Sequence, residues 1–124
     1  MKITLITSNQ LRHNYLINSL NKICNELFII QEEKSGSKFS TTSHKIKTKI
    51  KNIYFNNVLK AEKKVFGISK VKKVNKILKV KGNINNYNLE SLKDFLKSDL
   101  FIIYGSNYIK GDLLSFLKSK KAIG

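Results

Sequence analysis

Directly after the first apolar run of the chain stand Ser8, Asn9 and Gln10, followed by Arg12 and His13. Small polar residues with a cation and an imidazole at the start of a helix suit a phosphate-bearing substrate. The helix amino end presents N–H groups without intrahelical partners and a partial positive charge. A histidine in the first turn of an amphipathic helix has an ordinary alternative as a solvated residue. His44 lies among lysines and polar residues with no chemistry around it, and neither histidine has a second His, Cys or carboxylate at ligand spacing, so no metal site is expected. Cys24, the one cysteine, falls on an apolar helical face and reads as a small apolar residue. Glu32 and Glu33 are adjacent and read as the flank of a loop, not as an acid/base pair. Neither a phosphate loop nor a G-x-G-x-x-G fingerprint occurs.

The elements that must position these residues follow from periodicity. Lys2 to Thr7 alternates and is rich in β-branched residues, which predicts a strand, and Ser8-Asn9-Gln10 supplies turn and cap chemistry. A helix is predicted from Leu11 to Asn25, with Leu16, Leu20, Ile23, Cys24 and Leu27 on one face. A short buried strand is then expected over Leu27 to Gln31. Strand, helix and strand within about thirty residues form a βαβ unit with parallel strands. The fold class that follows is α/β, a Rossmann-like open, mostly parallel sheet with flanking helices. Ligands of such sheets bind at the carboxyl ends of the strands, which points first at Ser8, Asn9 and Gln10.

Residues 32 to 42 lack periodicity and read as a surface loop. Ser43 is placed to cap a long basic helix with Ile46, Ile50, Ile53, Tyr54, Ala61 and Val65 on its apolar face, and Gly67 is placed to end it. Val71, Val74 and Leu78 keep helical spacing, while Ile77 to Lys81 also fits a short strand, and both readings stand. Asn88 should cap a short helix burying Leu89, Leu92, Phe95 and Leu96. Leu100 to Tyr104 is the clearest buried strand; Gly105, Ser106 and Asn107 are its exit turn, and Gly111 to Lys120 an amphipathic helix presenting Leu113, Leu114 and Leu117.

With 124 residues, 41% of them apolar, the chain suits one folded domain and not a disordered polymer. Its formal charge is +16, and 15 lysines against a single acid, Glu62, lie between Lys34 and Lys81. Such a segment could attract nucleic acid. Arg12 is the sole arginine, however, and abundant Lys, Asn and Ile without Pro or Trp also match codons drawn from an A/T-rich genome. The first residues are too short an apolar run for a signal peptide, and no stretch approaches a membrane span, so a cytoplasmic protein is expected.

The stretch Ser98-Asp99-Leu100-Phe101-Ile102-Ile103-Tyr104-Gly105-Ser106-Asn107-Tyr108-Ile109, followed by Leu113-Leu114 and Lys120-Lys121-Ala122-Ile123, resembles the formyltransferase family of methionyl-tRNA formyltransferase and the sugar N-formyltransferases. The opening Ile3 to Thr7 with Ser8 to His13 is similar to the first strand and loop of its less characterised members. The resemblance covers residues 1 to 31 and 76 to 124. It implies transfer of a formyl group from 10-formyltetrahydrofolate to an amine of a sugar nucleotide or aminoacyl-tRNA. It also implies cofactor contacts from Gly105, Ser106, Asn107, Tyr108 and Ile109, with Ser8, Asn9, Gln10, Arg12 and His13 on the substrate side. Tyr108 has core filling as its alternative, and Gly105 a simple turn role.

The family uses an Asn and a His two residues apart, directly after the strand that Ala122-Ile123 begins, and a later Asp. A positioned donor and a basic or electrostatic partner are what an amine attack on a formyl carbon requires. Gly124 stands where the Asn is expected. The expectation is therefore a formyltransferase domain truncated before its catalytic residues, with an incomplete sheet and no activity alone. The alternatives are a small basic nucleic-acid-binding module using the segment from Lys34 to Lys81, and an unstable remnant with an exposed sheet edge.

Overall fold

The computed structural model describes residues 1–33, 45–67, 74 and 76–124, with side chains of the second helix described from residue 49 onward. The main elements are β1 (Lys2–Ser8), α1 (Leu11–Leu20), β2 (Glu26–Glu33), α2 (Lys45–Phe66), β3 (Lys76–Lys81), α3 (Leu89–Leu92), β4 (Leu100–Tyr104) and α4 (Gly111–Ser119). The four strands form one all-parallel sheet in the order β3-β2-β1-β4, an open Rossmann-like α/β fold with helices at its faces.

Side chains alternate between the two faces of the sheet. Ile3, Leu5, Leu27 and Ile29 point to the face covered by Ile17 and Leu20 of α1. Ile6, Ile30, Val80 and Phe101 point to the other, against Leu92, Leu96 and the α4 residues Leu113 and Leu117. Both sides of β1 and β2 are thus buried, as a parallel sheet requires. The register of β4 on β1 is secured at its entry, where the Asp99 carboxylate accepts from Lys2 N at 2.8 Å and Asp99 N donates to Lys2 O at 3.0 Å. Ile123 forms an isolated parallel bridge with Ile102 on the outer side of β4.

Several boundaries differ from expectation. Helix α1 stops at Leu20, and Ile23 is 71% exposed, off the buried face. Leu27 keeps helical spacing but belongs to β2, because the strand must start at Glu26 to pair with Lys2. That strand also runs two residues past Gln31, so Glu32 is a fully buried strand residue and not the start of a loop.

Helix α2 buries a different face from the one expected. Ile50, Ile53, Tyr54 and Val65 are all more than half exposed. The side turned to α1 carries Glu62, paired with Arg12, and Phe66, whose ring lies 5.4 Å from that of Tyr15. Both stripes satisfy a 3.6-residue period, and contact with α1 selects the one that supplies an ion pair. Over residues 76–81 the chain is a strand, starting one residue before Ile77, while Val74 packs partly buried against the core cluster of Ile3, Leu5, Ile17, Leu20, Leu27 and Ile29. Ser43, His44 and Val71 lie outside the described residues, as do residues 34–42 of the expected loop and the side chain of Ile46. Asn88 caps α3 as expected, accepting from Ser91 N at 2.8 Å.

Candidate functional site

From β1 the chain moves outward through β2 to β3, then returns to place β4 on the opposite side of β1. The carboxyl ends of β1 and β4 therefore flank the topological switch point, where open α/β sheets hold their ligands. Ser8 and the segment from Gly105 to Lys110 stand at those ends.

His13 is 1% exposed, so it is a core residue of this edge and not a solvated one. Its Nδ1 is 2.8 Å from Ser8 Oγ and 3.1 Å from Ser8 O, and its ring meets Tyr104 edge to face with centroids 5.1 Å apart. Gly105 lies against the other side of the imidazole. A β-carbon at position 105 would overlap Nε2 and come within 2.5 Å of Cε1, and Gly105 has φ of +72°. This glycine is required both by its backbone and by its neighbour.

Glu32 is the centre of a second cluster. Its Oε1 accepts from Asn107 N at 2.7 Å, and its Oε2 accepts from Asn107 Nδ2 at 2.6 Å and from Ile84 N at 3.2 Å. Asn85, in the turn after β3, donates from Nδ2 to Tyr108 O at 2.6 Å and accepts from Lys110 N at 2.8 Å. Gln31 Nε2 donates to Ser8 O at 3.3 Å. The exits of β1, β2, β3 and β4 are thereby tied together by side chains.

Of the residues expected on the substrate side, Ser8 and His13 meet at the edge of β1, Asn9 is exposed, and Gln10 forms the amino end of α1 without a side-chain cap bond. Arg12 turns to Glu62 of α2. Of those expected on the cofactor side, Gly105 meets His13, Asn107 is held by Glu32, and Ser106 Oγ donates to Asn107 O at 3.1 Å. Tyr108 is 91% exposed, which overturns core filling, whereas Ile109 packs on the α3–α4 core. Glu32 and Asn85 escaped sequence reading. Extending the alternation Phe28, Ile30, Glu32 by one step would have marked Glu32 as buried.

Beside this edge, on the α1 face of β4, lies a groove of about 530 Å³ lined chiefly by apolar surface, including Tyr15, Phe66, Ile102 and Tyr104, with Arg12 at its wall. No group of three His, Cys, Asp or Glu side chains among the described residues could hold a metal. Cys24 is half-buried and packs against the α1 core cluster, and burial pushes its thiol pKa above the ordinary 9.0.

The fold and this edge define a Rossmann-like domain whose loops at the switch point are fixed by polar side chains. Comparison of the chain with family models, curated proteins and solved structures finds no match.

Proposed function

We propose that this chain is a formyltransferase-type domain whose sheet edge binds a 10-formyltetrahydrofolate donor along Gly105 to Ile109 and a small amine acceptor, such as an amino-sugar nucleotide, beside Ser8 to His13. The observation that carries the reading is the contact of Gly105 with His13, which joins the segment assigned to the donor to the one assigned to the acceptor. The loop from Ser106 to Lys110 has no regular secondary structure, and with Asn107 N and O, Tyr108 O and Lys110 N held by Glu32, Ser106 and Asn85, its other peptide groups are suited to edge-on recognition of a heterocycle. The reading gives these residues a binding role in the cytoplasm. Among the described residues no helix is long and apolar enough to cross a membrane.

The test is titration of the isotopically labelled full chain with 5-formyltetrahydrofolate, a stable relative of the donor, followed by amide correlation spectra. Saturable shifts at Gly105 to Ile109 and at Asn9 to His13 are expected. Spectra unchanged at about 1 mM ligand, the weak limit of specific binding, overturn the reading.

A second reading, a nucleic-acid-binding surface, draws on α2, where Lys49, Lys60, Lys63 and Lys64 are exposed. A lysine-rich helix favours phosphate backbones without selecting sequence.

A further inference from the structure

We infer that Glu32 is a positioning residue for the ligand loop: by holding Asn107 twice and Ile84 once, it fixes residues 105–110 in a binding-ready conformation and couples them to the turn after β3. This rests on the donor-binding reading of that loop.

Glu32 is fully buried on a face otherwise made of Phe28, Ile30 and Val80. An apolar side chain would serve the core better there, because a buried carboxylate is costly unless each oxygen is hydrogen-bonded. Glu32 meets that condition with three donors, all from loops and none from its own strand. A carboxylate offers acceptor positions only, which suits convergent N–H groups, and such charge-assisted bonds are the strong class. Reading Asn107 through both its backbone N–H and its side-chain amide also sets the register of the loop. A slip by one residue could offer another backbone N–H but would lose the side-chain bond of Asn107.

Asn85 completes the arrangement. It sits beside Ile84 and binds Tyr108 O and Lys110 N, so the 83–86 turn and the 105–110 loop are joined by two direct bonds and once more through the Glu32 carboxylate, which holds both Ile84 and Asn107. A loop already held in one conformation loses less freedom when a ligand docks, and that saving appears as affinity. Ligand bound at 105–109 should therefore also slow exchange at Ile84, which lies outside the assigned contacts.

The experiment is amide hydrogen exchange on the full chain, wild type against Glu32→Gln and Asn107→Ala, with 5-formyltetrahydrofolate affinity measured on each. Glu32→Gln keeps the size but turns an amide NH₂ toward the donors. Exchange at Asn107 and Ile84 should rise about tenfold or more while central amides of β1 and β2 change by less than about twofold, as expected for local opening. Affinity should fall about tenfold, equivalent to about 1.4 kcal/mol. Asn107→Ala, which removes the side-chain bond alone, should loosen 105–110 and leave Ile84 protected. Unchanged exchange at Asn107 in Glu32→Gln overturns the inference, and so does a rise shared equally by the core amides. Loosened exchange with unaltered affinity also overturns it. If Glu32→Gln does not fold, Asn107→Ala decides, and a loop as protected as wild type is the negative result. If the wild type binds no folate, the function reading fails, while the exchange pattern still decides whether Glu32 positions the loop.

Discussion

The imidazole of His13 fills the space that a β-carbon at Gly105 would need. One residue comes from the first helix and the other from the exit of β4, 92 positions later, so the two loops that flank the switch point are shaped against each other. Ser8 sets the ring from behind through Nδ1, and Tyr104 packs on it edge to face.

Gly105→Ala should therefore be costly twice, through a left-handed backbone and through overlap with the ring. Each contributes about 1–3 kcal/mol, so a loss of about 3 kcal/mol in urea unfolding is expected. In His13→Ala the overlap is relieved, and the double variant should fall short of additivity by about 1 kcal/mol or more. Strict additivity would show that the ring and the glycine do not constrain each other.

Much of this fold is legible in one dimension, and the failures have physical causes. The strands β1 and β4 stand out because both are apolar runs closed by polar or glycine turns, and the Asn88 cap follows from side-chain chemistry alone. Glu32 was hidden because a charged residue at a strand end suggests solvent, whereas its partners come from 52 and 75 positions downstream. The end of α1 was obscured because Leu27 suits a helical period and a strand alike. In α2 the apolar stripe and the packed stripe are neighbouring faces of one helix, and Arg12 and Tyr15 of α1, far away in sequence, decide between them. For the site, Gly105 was legible as a turn glycine, but the second reason no other residue fits is a side chain from another element.

The Arg12–Glu62 pair should report on how α2 is held. The side chains are 37% and 12% exposed, and solvent screening limits such a pair to about 0.5–1 kcal/mol. A double-mutant cycle with Arg12→Ala and Glu62→Gln measures that coupling. Proteolysis within α2 should accelerate in either single variant, since the pair links this helix to α1. No coupling and unaltered cleavage would mean that the Tyr15–Phe66 contact holds α2 without it.

The lysines of α2 make a separate claim that salt can judge. The chain should be retained on a polyanion at low ionic strength and released as salt rises. Each phosphate contact contributes about 0.9 to the slope of log affinity against log salt. Replacing Lys49, Lys60, Lys63 and Lys64 together by Gln should reduce that slope by up to about 4. No retention of the wild type at low salt would dispose of the nucleic-acid reading and leave the lysines as solvated surface.

Cys24 offers a check on the α1 face of the core. Desolvation raises its thiol pKa above the ordinary 9.0, outweighing a hydrogen bond from its own backbone and the amino-terminal charge, which act the other way. At a given pH the folded chain then holds less reactive thiolate than an open thiol, so alkylation by iodoacetamide should have a midpoint above pH 9.0 and be slow at neutral pH. The same shift has a sign for stability. Because the folded state retains this proton more tightly than the unfolded one, the contribution is fully present below pH 9.0 and declines as pH rises through the folded value. Cys24→Ala should remove that alkaline decline while forfeiting part of the packing against the α1 cluster. An alkylation midpoint at or below the ordinary thiol value would mean that the residue is open to water and that the α1 face of the core is looser than its packing indicates.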